Sequence, residues 1–310
     1  MIMPSWQASC LNVGVRVLIR RRHWGDERAV SRRARRLFGV PFPLRWLRTR
    51  GLRIDRVSDG GVQGEWIVPQ TPDEGVILYV HGGGFVSCSA ATHRPITAGL
   101  ARLSGRRVFS LDYRLAPEHR FPAALDDVVA AYRWLMKRGV SPGSLALAGD
   151  SAGGGLVLST LLRVREAGLP LPACALCFSP WTDLAGSSAS ARLNDGRCAM
   201  FHPENVVEFA SAYLGAISPM DPYASPVFAD LGGLPPLLLQ VGSTELLLDD
   251  ARRVHQKIQS AGGISRLEIF ADVFHGWQML DGLLPEAGVA LRQAAAFVRN
   301  CRVGGLEYRL

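Results

Sequence analysis

The sequence predicts an α/β fold in which a mostly parallel sheet is flanked by helices. Short, continuous apolar runs suit strands buried on both faces, and they alternate with segments of helical periodicity through most of the chain. Several of these runs end in glycine-rich turns. The 310 residues contain no internal repeat or linker-like tract, and 48% of them are hydrophobic, which is ordinary globular composition. Alternation of this kind implies parallel strands joined by helices.

The first 50 residues are set apart by their charge. They hold 12 arginines against Asp26 and Glu27, so the net charge of +8 belongs to this segment, and the rest of the chain is close to neutral. Apolar spacing between residues 5 and 37 predicts one or two amphipathic helices. Such a basic helix could lie on an acidic membrane surface, or it could dock its apolar face over a pocket in its own protein, which we favour. No nucleic-acid partner is expected, because neither an aromatic platform nor a DNA-binding motif accompanies the arginines.

The remaining elements follow in chain order. A hairpin is predicted over residues 52–57 and 63–68 around the turn Asp59-Gly60-Gly61. Buried strands are then predicted at 76–80, 107–113, 144–148, 173–178, 237–241 and 267–270. Helices are predicted at 126–137, 152–166, 249–260 and 286–300. Residues 181–225 interrupt the alternation with loops around one predicted helix at 203–214, and we interpret them as an insertion into a single domain.

Six cysteines lack the regular spacing of a disulfide framework, which favours free thiols in a reducing compartment. Cys174-x-x-Cys177 lies inside an apolar run and has no second pair to complete a zinc site, so core packing explains it better than metal binding. No apolar run approaches the roughly 18 to 20 residues of a membrane span. The arginines near residue 20 follow an apolar stretch rather than precede it, unlike those of a signal peptide. A cytoplasmic protein without integral membrane contact is expected.

The pentapeptide Gly149-Asp150-Ser151-Ala152-Gly153 stands between a predicted strand and a predicted helix. That is the context of a G-x-S-x-G nucleophile elbow, in which a strained turn exposes a serine. Glycines two residues before and after Ser151 allow such a turn to close. An ordinary glycine-rich βα turn would contain the same residue types, so the rest of the chain must decide between the two.

A serine nucleophile needs a base, and seven histidines compete for that role. In the order nucleophile, acid, histidine, the base lies in a loop after the last strand. Of the seven, His275 satisfies that order. His202 falls in the inserted segment and His255 in the middle of a predicted helix.

The acid that orients the base should follow the predicted strand 237–241. Asp249 and Asp250 stand where the next helix begins, so helix capping and the helix dipole explain them. Asp272 belongs to the short loop that holds the histidine. Glu245, enclosed by Thr244 and three leucines, has no such explanation. We therefore predict that Glu245, rather than any of these aspartates, is the acid.

A glycine-rich loop follows the first buried strand in the sequence His81-Gly82-Gly83-Gly84. Glycines there let backbone N–H groups approach a ligand closely, as an oxyanion hole requires, and Gly83, Gly84 and Ala152 are the expected donors. Phosphate binding would need G-x-G-x-x-G or Gly-Lys-Ser/Thr, and the chain has neither. We expect His81, Gly82 and Asp150 to brace this loop and the elbow.

Several separate segments between about residues 65 and 300 form a combined pattern of high specificity. They are His81-Gly82-Gly83-Gly84-Phe85, Asp112-Tyr113-Arg114-Leu115-Ala116-Pro117-Glu118, Phe121-Pro122-Ala123-Ala124, Gly149-Asp150-Ser151-Ala152-Gly153-Gly154, Asp221-Pro222 with Ser225-Pro226, and Phe274-His275-Gly276. With them the chain resembles the hormone-sensitive-lipase-like branch of the α/β-hydrolases, also called bacterial family IV esterases. Two departures stand out. The family's acid most often opens an Asp-Pro-Leu triplet where this chain has Glu245-Leu246-Leu247, and the first 60 residues match only loosely.

The resemblance implies an eight-stranded, mostly parallel sheet in a catalytic domain at 51–310, with cap segments at 1–50 and 181–225. It also implies hydrolysis of short-chain acyl esters without metal or cofactor, and dimerisation through the edge of the sheet. The sequence therefore predicts a serine carboxylesterase in which Ser151 attacks, His275 transfers the proton and Glu245 orients the histidine. The alternatives are a lactone, amide or carbamate substrate for the same residues, or a non-catalytic protein that binds a small ligand on this fold.

Overall fold

The computed structural model describes residues 4–39 and 49–301, and it contains one eight-stranded sheet. The strands are β1 Leu52–Asp59, β2 Val62–Pro69, β3 Val76–Val80, β4 Arg107–Leu111, β5 Leu145–Asp150, β6 Cys174–Phe178, β7 Leu237–Gly242 and β8 Ser265–Phe270. Their order is β1-β2-β4-β3-β5-β6-β7-β8. The last six in this order pair in parallel, whereas β2 pairs antiparallel with both β1 and β4. The predicted α/β class and mostly parallel sheet are confirmed.

The hairpin of β1 and β2 has a tighter turn than the sequence indicated. Asp59 pairs with Val62 at the end of the ladder, which leaves Gly60 and Gly61 as the turn. Both glycines have positive φ, at 58° and 83°. A two-residue turn of this kind matches the right-handed twist of the strands, and glycine adopts it without strain.

Helices cover both faces of the sheet, and two apolar clusters lie between them and the strands. The helices are α1 Trp6–Leu18, α2 Glu27–Phe38, α3 Arg94–Ser104, α4 Ala123–Lys137, α5 Ala152–Glu166, α6 Ala189–Leu193, α7 Pro203–Leu214, α8 Leu248–Ser260 and α9 Pro285–Asn300. The sequence analysis missed α3 and the short α6. Residues 95–101 of α3 are all buried, and they include Pro95 and Gly99, which have the lowest helix propensities and so conceal the helix in the sequence.

One or two N-terminal helices were predicted, and the described residues form two, α1 and α2. Ser5 caps α1 by accepting from the Ala8 N–H, and Asp26 caps α2 by accepting from the Ala29 N–H. The backbone N–H of Ser5 also donates to Glu286 of α9 at 2.6 Å. The bond to Glu286 therefore ties the start of α1 to α9.

The cysteines of the described residues are free, as expected, and Cys174 and Cys177 are buried in β6. No helix in the ranges 4–39 and 49–301 is long and apolar enough to cross a membrane. The Cys-x-x-Cys pair is therefore part of the core, in agreement with the sequence analysis.

Candidate active site

The elbow at Ser151 connects β5 directly to α5. Ser151 has φ 52° and ψ −123°, a conformation that costs a residue with a side chain about 1 to 3 kcal/mol. Its backbone N–H donates to the carbonyl of Phe178 in the next strand at 2.8 Å, which holds the turn in place. A Cβ at Gly149 would lie 2.6 Å from the carbonyl oxygen of Gly153, and one at Gly153 would overlap the carbonyl oxygen of Val80. Both glycines of the motif are therefore required by close backbone contacts.

His275 lies in the loop after β8 and forms a buried pair with Glu245. Its Nδ1 is 2.6 Å from Oε2 of Glu245, and the two residues are 8% and 1% exposed. The ring of Phe201 packs edge-on against the imidazole at 5.6 Å between centroids. Since Nδ1 donates to the carboxylate, Nε2 is left as the acceptor, and both Ser151 and His275 line one cavity.

The second carboxylate oxygen of Glu245 is also occupied. Oε1 accepts from the Ser179 hydroxyl at 2.7 Å and from the Gly242 N–H at 2.6 Å. Three donors therefore hold this carboxylate in one orientation. Ser179 was not anticipated from the sequence, and it follows β6 with a positive φ of 44°.

The rival carboxylates lie elsewhere, and the capping role expected for two of them was wrong. The Ser190 hydroxyl, rather than Asp249 or Asp250, accepts from the first turn of α8, at 2.9 Å from the Asp249 N–H. Both carboxylates lie in that first turn, as the helix-dipole explanation expects. Asp250 instead accepts two backbone hydrogen bonds from the inserted segment, at 2.8 Å from Thr182 and 2.9 Å from Asp183, and Asp249 accepts one at 2.8 Å from α6. Asp272 is half-exposed and lies 3.8 Å from Arg197. These carboxylates bind other parts of the chain, and Glu245 is the one that contacts His275.

The glycine loop after β3 carries the expected donors. Gly83 and Gly84 have φ of 112° and 62°, and a side chain at Gly84 would overlap the ring of Phe209. Within the described residues neither N–H donates to any protein acceptor. Ala152 opens α5, where backbone N–H groups have no partner inside the helix. Gly83 and Gly84 line the same cavity as Ser151.

Asp150, the residue before the nucleophile, joins the elbow to the glycine loop. Its Oδ1 accepts from the Tyr79 hydroxyl at 2.6 Å and from the Gly82 N–H at 2.9 Å, and its Oδ2 lies 3.2 Å from Nε2 of His93. Burial raises the pKa of this carboxyl, but the nearby His93 and the hydrogen bonds from His93 and Tyr79 outweigh that effect and leave the pKa lowered. The carboxylate is therefore held ionised beneath the site.

His81 supports the same loop as a neutral side chain. Its ring stacks on Tyr113 with 4.2 Å between centroids, and Nδ1 lies 2.7 Å from the carbonyl of Gly82, to which it donates. Burial and the neighbouring His93 lower the pKa of His81 to about 3. The sequence analysis expected His81 to brace the loop but did not connect His93 or Tyr79 to Asp150, because nothing in the local sequence links them.

The cavity above Ser151 has a volume of about 340 Å³ and a mainly apolar lining. Ile19 follows α1 and Phe38 ends α2, while Phe209 comes from α7, so the N-terminal helices and the inserted segment both form its walls. Among the residues the structure describes, no group of three or more His, Cys, Asp or Glu side chains is arranged to hold a metal ion.

Comparison with known proteins agrees with this geometry. A family profile described as alpha/beta hydrolase fold matches residues 77–279. The chain belongs to the α/β-hydrolase family. An acetyl-hydrolase of Streptomyces hygroscopicus is 43% identical over 253 residues, which are 82% of this chain and 85% of that one.

Two solved structures resemble this α/β-hydrolase closely. An esterase from the bacterial hormone-sensitive lipase family shares 40% identity at a TM-score of 0.84, covering 97% of this chain and 99% of the other. The esterase EstE5, in a crystal soaked with p-nitrophenyl butyrate, shares 36% identity at a TM-score of 0.87, covering 95% and 98%. The resemblance to the hormone-sensitive-lipase-like branch is therefore confirmed.

Proposed function

We propose that this α/β-hydrolase is a serine carboxylesterase that acts on short- to medium-chain acyl esters. The observation that carries the proposal is the buried pair of His275 and Glu245, whose histidine faces the cavity that also holds Ser151 at a strained elbow. A hydroxyl becomes a useful nucleophile when a neutral imidazole can take its proton and a carboxylate stabilises the resulting cation.

In the proposed reaction Ser151 Oγ attacks the ester carbonyl while Nε2 of His275 takes the hydroxyl proton. The tetrahedral oxyanion is bound by the N–H groups of Gly83, Gly84 and Ala152. His275 then delivers its proton to the alkoxide, so the alcohol leaves and an acyl-enzyme remains. A water molecule, deprotonated by the same imidazole, hydrolyses that intermediate and restores the serine. Glu245 stays ionised throughout and holds Nδ1–H of the histidine.

The apolar lining and the volume of the cavity support an acyl chain as the buried part of the substrate. The names of the related acetyl-hydrolase and esterases support an ester rather than an amide. A lactone would meet the same residues and is the second candidate, because it too leaves an alkoxide.

We also propose that residues 1–50 and 181–225 act as a cap on the catalytic domain at 51–310. Ile19, Phe38 and Phe209 from these segments line the cavity. Arg20 connects the two cap segments, because it donates to Asp195 at 2.7 Å. Residues 1–3 and 40–48 of the first segment and 302–310 of the domain lie outside the described ranges.

Hydrolysis of a p-nitrophenyl ester series from acetate to decanoate tests the function. The wild type should turn over the shorter members, and Ser151→Ala should reduce kcat by about 10⁶-fold. Ser159→Ala is the matched control, since Ser159 is a buried serine about two helix turns further along α5, and its hydroxyl donates to the Gly155 carbonyl. Activity that survives in Ser151→Ala would refute the proposal. Tight ester binding without turnover by the wild type would instead favour the non-catalytic alternative.

Two further expectations belong with this function. We propose a cytoplasmic location, supported by six free cysteines in the described chain. We also propose a homodimer formed through the exposed edge of β8, the last strand of the sheet. Light scattering should then give twice the 33.7 kDa mass of the chain, and a monomer at micromolar concentration would contradict the dimer.

A further inference from the structure

Helix α1 is apolar on two opposite faces, and only one of them is covered. Its inner face packs into an apolar cluster with α9 and the histidine loop, and it includes Ala8, Leu11 and Val15. On the outer face Trp6 is 73% exposed and Val17 76% exposed.

The outer apolar residues form a stripe rather than isolated positions. Trp6, Cys10, Val13 and Val17 recur at helical spacing, and Leu18 lies beside them with 72% exposure. Single exposed apolar side chains need no explanation, but a contiguous stripe on one helix usually marks an interaction surface. We call these five residues the α1 stripe.

Helix α2 carries a second stripe that is basic. Arg28, Arg32 and Arg36 are spaced four residues apart on its exposed side, opposite the buried Val30 and Ala34. None of these three arginines forms an ion pair with any residue in the ranges 4–39 and 49–301. We call them the α2 arginines.

The two stripes lie on the outside of the same wall of the cavity. The C-terminal end of α1 is attached to the inserted segment through Arg20 and Asp195, and α2 packs against α7 of that segment. Ile19 and Phe38, at the ends of these two helices, line the cavity itself. The outer faces of both helices therefore point away from the cavity and into solvent.

We propose that the α1 stripe and the α2 arginines bind an anionic lipid surface, with the cap side of the protein resting on it. An apolar helix face flanked by cations is the arrangement that inserts at the boundary of headgroups and acyl chains. Each arginine near such a surface adds to binding through the negative surface potential. A second copy of this chain fits less well, because a two-fold contact through both stripes would bring the α2 arginines of the two copies together.

Co-flotation with vesicles tests the proposal without relying on turnover. Vesicles of phosphatidylcholine mixed with phosphatidylglycerol should bind the full chain, and pure phosphatidylcholine should bind it weakly. The triple variant Arg28→Gln, Arg32→Gln, Arg36→Gln should lose about 100-fold in partitioning, at about fivefold for each arginine. Added salt should weaken binding by the wild type, because exposed charges are screened.

The apolar contribution is tested by Val13→Gln with Val17→Gln, which should weaken partitioning by about tenfold or more. Ile217→Gln with Met220→Gln is the matched control, since these apolar residues are also exposed but lie outside α1 and α2. Both double variants should hydrolyse a water-soluble ester like the wild type, which separates this surface from the proposed active site.

Three results would overturn the proposal. The first is the absence of binding to phosphatidylglycerol vesicles at low salt. The second is equal binding to neutral and anionic vesicles. The third is a wild-type dimer that becomes monomeric in Val13→Gln with Val17→Gln, which would make the α1 stripe an interface between copies of this chain.

Discussion

Replacing Glu245 by glutamine tests the least expected member of the proposed catalytic group. The amide is isosteric, so the bonds from Ser179 and Gly242 can still be accepted by one oxygen. The other carboxylate oxygen, Oε2, lies 2.6 Å from Nδ1 of His275. In the glutamine variant this place is taken by an uncharged oxygen or by an NH₂ group that points an N–H at the ring. The histidine is then left in the wrong tautomer and its cation is no longer stabilised. Isosteric loss of the acid in a serine triad costs about 10⁴ in kcat, which corresponds to about 5 kcal/mol.

The assay is steady-state hydrolysis of a short p-nitrophenyl ester, with kcat and KM measured separately. The loss should fall on kcat and leave KM within a few-fold, because Glu245 lies behind the histidine and lines no part of the cavity. Asp249→Asn and Asp272→Asn serve as matched carboxylate controls, and both should keep near wild-type turnover. A Glu245→Gln enzyme with more than about a tenth of the wild-type kcat would refute the assignment.

Three more predictions follow from single contacts. Ser179→Ala should lower kcat by about tenfold, since it removes one of three donors that orient Glu245, and KM should not change. Gly84→Ala should cost about 10² to 10³ in kcat at unchanged expression, because a methyl group there meets Phe209 and displaces an oxyanion donor. The folded-state pKa of His81 is about 3, so the wild type should lose stability as pH falls from about 6.5 towards 3, by up to about 1.4 kcal/mol per pH unit. The free energy of unfolding, measured with urea at several pH values, should fall less steeply with decreasing pH in His81→Asn than in the wild type. The same pH dependence in both proteins would contradict the burial of a neutral ring.

The sheet and most of the helices were predictable because their signals are local. A strand buried on both faces appears as a continuous apolar run, and β3, β5 and β6 all lie within a residue or two of such runs. The positions of Ser151 and His275 follow from chain order along the sheet, which fixes where the strand ends meet. These features depend on neighbours in sequence or on a known topology.

The contacts that were missed or misread are those that cross the sheet or the inserted segment. Ser179 lies 66 positions from the carboxylate it contacts, and His93 lies 57 positions from Asp150. Asp250 was assigned to helix capping because its position at a helix start was the available signal, whereas its side chain faces a segment 68 positions earlier. Such pairings depend on how loops fold over the strand ends, which no local pattern encodes.

The hydrogen bonds of Asp150 connect the proposed nucleophile to the proposed oxyanion donors. Asp150 is the last residue of β5 and directly precedes Ser151 in the elbow. From there Oδ1 accepts from the Gly82 N–H, one residue before the donor Gly83. A displacement of the elbow would therefore move the glycine loop with it. The ionised carboxylate has three partners within 3.2 Å, from Tyr79, Gly82 and His93, which fixes the separation of attacking oxygen and oxyanion donors before substrate arrives.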